Sequence, residues 1–428
     1  MESRLPQPKH PLISPKLYLE VVRTHIKILN GASFSKISFD HIPIDQVPLF
    51  TNFLYEMVRW HHRTSWQLIQ VSKSDPNKWD PLIRSIVGLG FCLLQQSTKP
   101  DYAVVNNCVE AAKLSSRSHV AALVNACLRR FISIKKELTE KSYLPDEAFH
   151  SHPRWLIEAF KLDFPDSWRA ICEANNERPP MFLRVNTSII SIDDYINLLS
   201  QSSIDHKIIS DQTQSIRLDQ PISIRDLPGY ADGLVSVQDL SSQIIVNRFN
   251  LKRGDRVLDM CASPGGKTSH LLEKEKINLL AIEIDEKRRA TLDGNLERLH
   301  LKCKTLQADV REVADWWDGS HFDHVLLDAP CSSLGVIRKH PDIKLHRKKE
   351  DIQQYSEIQM ELLMTGWKVL NKGGVLIYSV CTILEAETIS LISKFREVHS
   401  DAHLIDSQLM MPGENGMNGF YYAKLSKS

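Results

Sequence analysis

The sequence predicts a multidomain chain: an all-α domain over residues 1–145, a small α+β linker domain over 146–237, and an α/β, Rossmann-like domain over 238–428. Three observations predict it. Phe50, Phe53, Leu54, Met57 and Val58 fall at i, i+3, i+4, i+7 and i+8, which puts them on one face of a helix and marks core rather than a cofactor contact. The texture changes after Asp146, with Pro179-Pro180 breaking the chain. Beyond Leu251, short apolar runs alternate with helix-like segments, the order of βαβ units in a parallel, doubly wound sheet.

Taken in order, residues 15–140 read as helical, and SHVAALVNACLRRFISI (118–134) repeats the amphipathic theme, with Arg129 and Arg130 near its end, where cations suit the helix dipole. Trp155 to Phe160 reads as a short helix, and Phe182 to Val185 as extended chain. The strands of the last domain are RVLDM (256–260), LLAIEID (279–285), HVLLDAP (324–330) and VLIYSV (375–380). No internal repeat or low-complexity tract interrupts them.

Composition narrows the class. With 42% hydrophobic and 25% charged residues, the 428-residue chain is globular rather than fibrous or disordered. The longest uncharged apolar stretch, Ser85 to Thr98, has 14 residues, whereas a membrane span needs about 20. Glu2, Arg4 and Lys9 leave no apolar run for a secretory signal, so a cytoplasmic location is expected. Residues 1–150 carry 19 Lys+Arg against 13 Asp+Glu and the rest 34 against 39, an asymmetry that permits a nucleic-acid partner in front. The eight cysteines, at 92, 108, 127, 172, 261, 303, 331 and 381, form no CxxC pair, so neither a disulfide framework nor a metal site is expected.

The segment CASPGGKTSHLL after the first strand supplies a tight glycine turn opening a helix, where doubly wound sheets bind ligands. Gly265 and Gly266 let backbone approach a ligand, and Glu283 ends the second strand 18 residues after Gly265, near the spacing of an acid that takes ribose hydroxyls. A P-loop would need glycine where Cys261 stands, and a dinucleotide fingerprint needs more than one adjacent glycine pair. S-adenosyl-L-methionine remains as the nucleoside-bearing cofactor. Glu283 and Asp285 equally suit a solvated strand end.

Two further segments carry chemistry: DAPCS, with Asp328 and Cys331, and YSVCT, with Cys381, both just past a strand end. Adding a thiolate to carbon 6 of a cytosine breaks its aromaticity and makes carbon 5 enamine-like, a covalent route that needs a cysteine, a carboxyl near the ring nitrogen and a later base. Taken singly, either cysteine also suits buried packing.

The chain resembles the RNA 5-methylcytosine methyltransferases, and among them the bacterial small-subunit ribosomal RNA methyltransferase B (Sun/Fmu) group. The resemblance rests on ANNERPPMFLRVN (174–186), VQDLSSQ (237–243), VLDMCASPGGKT (257–268), LLDAPCSSLGVIRKHPDIK (326–344), YSVCT (378–382) and GFYYAKL (419–425), which span most of residues 150–428. The pairing of the proline-cysteine motif with the second cysteine is its most specific feature. The resemblance implies a class I methyltransferase fold, S-adenosyl-L-methionine as cofactor and a cytosine of 16S ribosomal RNA as target, with cytosine 967 expected for the family. It implies that Cys261, Ala262, Ser263, Pro264, Gly265, Gly266 and Lys267 wrap the cofactor's methionine part, that Glu283 holds the ribose and that Asp309 lies beside the adenine. Asp328 would lie near cofactor and base and support protonation of the ring nitrogen, Cys381 would attack carbon 6, and Cys331 would assist release. The second-strand acid is Glu283 where the family usually has Asp, and the nucleophile motif is SVCT rather than ATCS; neither change removes a functional group. The helical part resembles a NusB-like RNA-binding domain loosely, at Asn125 to Phe131. Two alternatives stand beside this reading: a transfer RNA cytosine methyltransferase, which the motif set leaves open, and a catalytically silent RNA-binding assembly factor, against which the intact Asp328, Cys331 and Cys381 argue.

Residues 338–349, RKHPDIKLHRKK, hold six Lys/Arg and two His against one acid. Any one of them equally suits a solvated loop with Asp342 capping a turn, but the position beside Cys331 leads the group to be expected as a basic loop that grips phosphates flanking the target base. The target must leave its stack to reach the thiols, so an open or looped RNA strand is expected. The chain is expected to act as a monomer, without metal or membrane.

Overall fold

The structure is a computed structural model that describes residues 14–96, 100–115, 118–209 and 215–428, apart from the side chains of Ser35 and Ser118. The N-terminal segment on which the absence of a signal was read lies outside the described residues. Among the described residues, no helix is long and apolar enough to cross a membrane, and no group of three or more His, Cys, Asp or Glu could hold a metal ion. The chain forms two compact units: residues up to Asn176 together with His340–His346, and Glu177–Lys339 together with Arg347–Ser428.

The first unit is helical, with α1 Pro15–Leu29, α2 Val47–Arg59, α3 His61–Val71, α4 Pro81–Gln96, α5 Asp101–Leu114, α6 Ala121–Ser133, α7 Asp146–His150, α8 Arg154–Asp163 and α9 Trp168–Asn176. Ser14 caps α1 by accepting the Leu17 N–H at 3.3 Å, and Pro15 sits at the first helical position, where its missing N–H costs nothing. The stripe from Phe50 to Val58 is buried in the core, which Val21, Phe91, Val104, Leu128 and Phe131 complete. Phe91 and Phe131 stack with centroids 4.4 Å apart.

The short helix Ile343–His346 belongs to this unit, and it corrects the reading of the basic run. Lys344 is buried, and its Nζ donates to the carbonyl oxygens of Arg59 (2.7 Å) and Ser151 (2.8 Å) and to Asn176 Oδ1 (2.9 Å). Its three donors are used, so it is no phosphate ligand. In the second unit Arg338 is likewise buried and donates to the carbonyls of Gly416, Met417 and Arg178. The run is thus not one solvated loop; Lys339, Lys348 and Lys349 are its exposed cations.

The second unit opens with β1 Met181–Val185, α10 Ile192–Gln201, β2 Lys207–Ile208, β3 Ser215–Leu218 and β4 Val235–Val237, an antiparallel sheet in the order β2-β3-β1-β4. Then follow α11 Leu240–Asn247, β5 Arg256–Asp259, α12 Gly266–Lys274, β6 Asn278–Glu283, α13 Glu286–Arg298, β7 Lys304–Gln307, β8 Phe322–Asp328, the long helix Lys349–Val369, β9 Leu370–Val380, the helix Ile389–Val398, β10 Ala402–Met410 and β11 Phe420–Lys427. The large sheet has the order β10-β11-β9-β8-β5-β6-β7. Strands β5 to β9 are mutually parallel, β11 runs antiparallel to β9 and β10 antiparallel to β11, so the C-terminal ends of β5 to β9 share one edge. Strand order reverses between β5 and β8, and the crevice at such a reversal is where these sheets bind ligands. Central strands buried on both faces need continuous apolar runs, which Val257-Leu258 and Val325-Leu326-Leu327 supply.

One buried ion pair ties the small sheet to the crevice. Arg184 on β1 and Glu273 on α12 are both fully buried and meet at 2.7 Å, and Arg184 also donates to Gly266 O (2.7 Å) and Ser269 Oγ (2.9 Å). Removing either partner would strand a buried charge, at a cost of about 3–5 kcal/mol.

Candidate active site

The turn between β5 and α12 shows why glycine stands there. Gly265 caps α12 at φ +97°, and a Cβ on it would meet Leu292 Cδ1 at 2.6 Å. Thr268, in the first turn of the helix, donates its hydroxyl to Asp259 Oδ2 at 2.7 Å, binding the helix to the strand it follows. Burial raises the Asp259 carboxyl to about 7, against the hydrogen bond from Thr268.

A cavity of about 440 Å³ opens along the shared C-terminal edge. It is lined by Cys261, Ser263 and Lys267 from the turn, Glu283 from the end of β6, Asp309 beyond β7, Asp328 from β8, and Cys331 and Cys381 beyond β8 and β9. Eight of the twelve candidate site residues therefore share one cavity. Ala262, Pro264, Gly265 and Gly266 instead form the turn's backbone and do not line the wall.

Its acids are held in place. Glu283 is 3% exposed, accepts the backbone N–H groups of Ser263 and Asp285, each at 3.3 Å, and pairs with Arg288 at 3.4 Å. Asp309 pairs with Arg311 at 2.7 Å, and the hydrogen bonds from that guanidinium hold its carboxyl below the usual range. Asp328 receives Lys267 Nζ at 2.7 Å and Ser379 Oγ at 2.8 Å. Cys261 faces Asp259, Asp328 and Glu283; burial and then these charges push its thiol up, so it is a poor nucleophile.

The two remaining thiols differ. Cys331 Sγ lies 3.3 Å from Cys381 Sγ, and Ser333 Oγ lies 3.5 Å from Cys381 Sγ and 3.9 Å from Cys331 Sγ. The hydrogen bond with Cys331, then that with Ser333, lowers Cys381 against the opposing effect of burial, while Cys331 is raised. One sulfur is thereby favoured as thiolate and the other as its donor.

Sequence reasoning missed the residues that hold this arrangement. Glu387, buried, accepts the Ser332 N–H (2.9 Å), the Ser332 hydroxyl, Gln359 Nε2 (3.0 Å) and Thr382 Oγ1 (3.3 Å), so it binds the neighbours of both thiols. Gly335 donates its N–H to Cys381 O at 3.0 Å and accepts that of Gly419 at 2.8 Å; a Cβ on Gly335 would lie 1.9 Å from Gly419 O. In sequence Glu387 is one acid of a polar turn, and Gly335 one glycine of a loop, with no local periodicity to single them out.

Family models match in three places: "16S rRNA methyltransferase RsmB/F" over residues 246–426, the ferredoxin-like domain of RsmF/B-like methyltransferases over 152–225, and the NusB family over 27–133. The ribosomal RNA small subunit methyltransferase B of Serratia proteamaculans is 38% identical over 347 residues, covering 79% of this chain and 81% of that one. The probable enzyme of the same name from Coxiella burnetii is 36% identical over 396 residues, covering 89% and 92%. Among solved structures, the crystal structure of PH0851 covers 97% of this chain and 99% of its own at a TM-score of 0.79 and 22% identity, a likeness of fold. A NusB-like helical domain, a ferredoxin-like domain and a Rossmann-like methyltransferase domain with a mostly parallel sheet thus follow one another, and the chain belongs to the ribosomal RNA small subunit methyltransferase B family.

Proposed function

We propose that this chain methylates carbon 5 of a cytosine in 16S ribosomal RNA, cytosine 967 in the family's expectation, through a covalent adduct on Cys381. The observation that carries this reading is the 3.3 Å approach of the Cys331 and Cys381 sulfurs, in one cavity with Asp328 and the glycine turn. The relatives' names supply the ribosomal RNA.

The cavity fits S-adenosyl-L-methionine: the Cys261–Lys267 turn offers backbone N–H groups and an ammonium to its carboxylate, Glu283 a carboxylate to the ribose diol, and Asp309 a wall for the adenine. When bound, it supplies an electrophilic methyl group. Cys381 adds as thiolate to carbon 6 of the extruded base, forming the C–S bond and directing the electron pair to carbon 5. Asp328 hydrogen-bonds the ring nitrogen and supports its protonation, while Lys267 and Ser379 fix that carboxyl. After carbon 5 is methylated, a base takes its proton, the electron pair of that C–H bond re-forms the C5–C6 double bond and the C–S bond breaks, its electrons leaving on Cys381 as thiolate, with Cys331 assisting this release. Three functional parts follow: an RNA-binding domain to about residue 145, a linker to about 237 and a catalytic domain beyond, acting in the cytoplasm as a monomer.

The test is transfer of a labelled methyl group onto unmodified, protein-free small-subunit ribosomal RNA, followed by mapping of the modified base. Label on carbon 5 of a single cytosine is expected. Cofactor binding without transfer to any RNA would instead point to a silent assembly factor.

A further inference from the structure

Among the described residues, four cations line the candidate active-site cavity, and three already have acids: Lys267 meets Asp328 at 2.7 Å, Arg288 meets Glu283 at 3.4 Å, and Arg311 meets Asp309 at 2.7 Å and Glu361 at 2.9 Å. The fourth is Arg347. Among the described residues it has no acidic partner, yet it is not a loose side chain. Its Nε donates to Ser332 O at 2.9 Å, one residue from Cys331, and its guanidinium carbon stands 5.1 Å from the ring centroid of Tyr355, which lines the same cavity. Its two Nη groups make no hydrogen bond to a described residue, so four of the five guanidinium N–H donors are left over.

A guanidinium fixed by one hydrogen bond and a ring face, half-buried and without an acidic partner among the described residues, holds its remaining donors ready for an anionic ligand. A planar fork of that kind suits a phosphate. We infer that Arg347, backed by Tyr355, binds a backbone phosphate flanking the target nucleotide and so orients the extruded base over the two thiols. This rests on the proposed reaction for the identity of the nucleic acid. Within the basic run, Arg338 and Lys344 are consumed inside the fold, Lys339, Lys348 and Lys349 are exposed but do not line the cavity, and Arg347 reaches it. Arg347 is a positioning residue, because it touches RNA away from the reacting atoms.

The test uses the full chain and a single-stranded RNA oligonucleotide spanning the target. Arg347→Ala is expected to weaken RNA binding about tenfold, the loss of one charge-assisted contact. Its binding should also depend less steeply on salt, with the log–log slope smaller by about one. Tyr355→Leu removes the ring without the charge and should weaken binding less, leaving that slope unchanged. Uncharged methylphosphonate linkages are then placed one at a time on either side of the target. One of them should cost the wild type what Arg347→Ala costs, and cost the variant nothing more. Affinity for S-adenosylhomocysteine, unchanged in both variants, reports that the cavity is intact; were it lost, Arg347→Lys, which keeps the charge, should restore it together with the salt slope. An unchanged salt slope in Arg347→Ala, or methylphosphonate losses that add to the mutational loss at every linkage, overturns the inference. Binding is measured without methyl transfer, so a chain that held RNA through Arg347 but methylated no cytosine would refute the proposed reaction alone.

Discussion

Ser332 donates its backbone N–H to Glu387 Oε2 at 2.9 Å, and through this bond a buried carboxylate from the turn that follows β9 holds the loop that carries Cys331. The same carboxylate accepts from Thr382, the residue after Cys381, so the spacing of the two sulfurs depends on a group that lines no part of the cavity.

Glu387→Ala would leave the Ser332 N–H and one of the two Gln359 Nε2 N–H groups, the other donating to Pro330 O at 2.9 Å, buried and unpaired, at about 1–3 kcal/mol for each stranded group. The expected result in thermal denaturation is a clear fall in Tm, with methyl transfer reduced further than cofactor affinity. Glu387→Gln keeps an acceptor and should lose less of both. Equal losses in the two variants would show that the carboxylate does not set the spacing.

The thiols should separate by chemistry. Cys381→Ala is expected to abolish transfer, whereas Cys331→Ala should accumulate a protein–RNA adduct that survives denaturation. Adduct formation by Cys381→Ala instead would reverse the roles. Because the hydrogen bond from Cys331 is the largest influence lowering Cys381, alkylation of Cys381 followed against pH should shift its midpoint upward in Cys331→Ala.

Gly265→Ala combines a left-handed backbone with a Cβ 2.6 Å from Leu292 Cδ1. A loss of about 1–3 kcal/mol is expected in chemical denaturation. Cofactor affinity, read by calorimetry, should fall at least about tenfold as the turn shifts, since tenfold is only 1.4 kcal/mol. Wild-type affinity in the variant would detach the turn from the cofactor.

Asp259 gives a pH signature. Its carboxyl titrates near 7 in the fold, against a value near 4 for a free carboxyl, so the folded state holds the proton more tightly. Stability from this group is fully present at low pH and is lost as pH rises from about 4 through about 7. Asp259→Asn stays neutral and still accepts the Thr268 hydroxyl. Its Tm relative to wild type should therefore climb across that window, and a flat difference would exclude the raised carboxyl.

The sequence by itself determined the layers and most of the candidate site's lining. Helical stripes such as Phe50 to Val58, alternating strands and helices, the glycine turn and the two cysteine motifs are local patterns, and local patterns survive in a linear string because backbone geometry repeats at fixed periods. Cys331 and Cys381 stand fifty residues apart, and only the sheet's strand order brings their sulfurs together. Tertiary structure also decided which charges remain available. Lys344 and Arg338 look like Arg347 in the sequence, but buried backbone carbonyls take the first two. Burial and hydrogen-bond partners come from distant segments, so a run of like residues divides into structural and functional members only once the chain has folded.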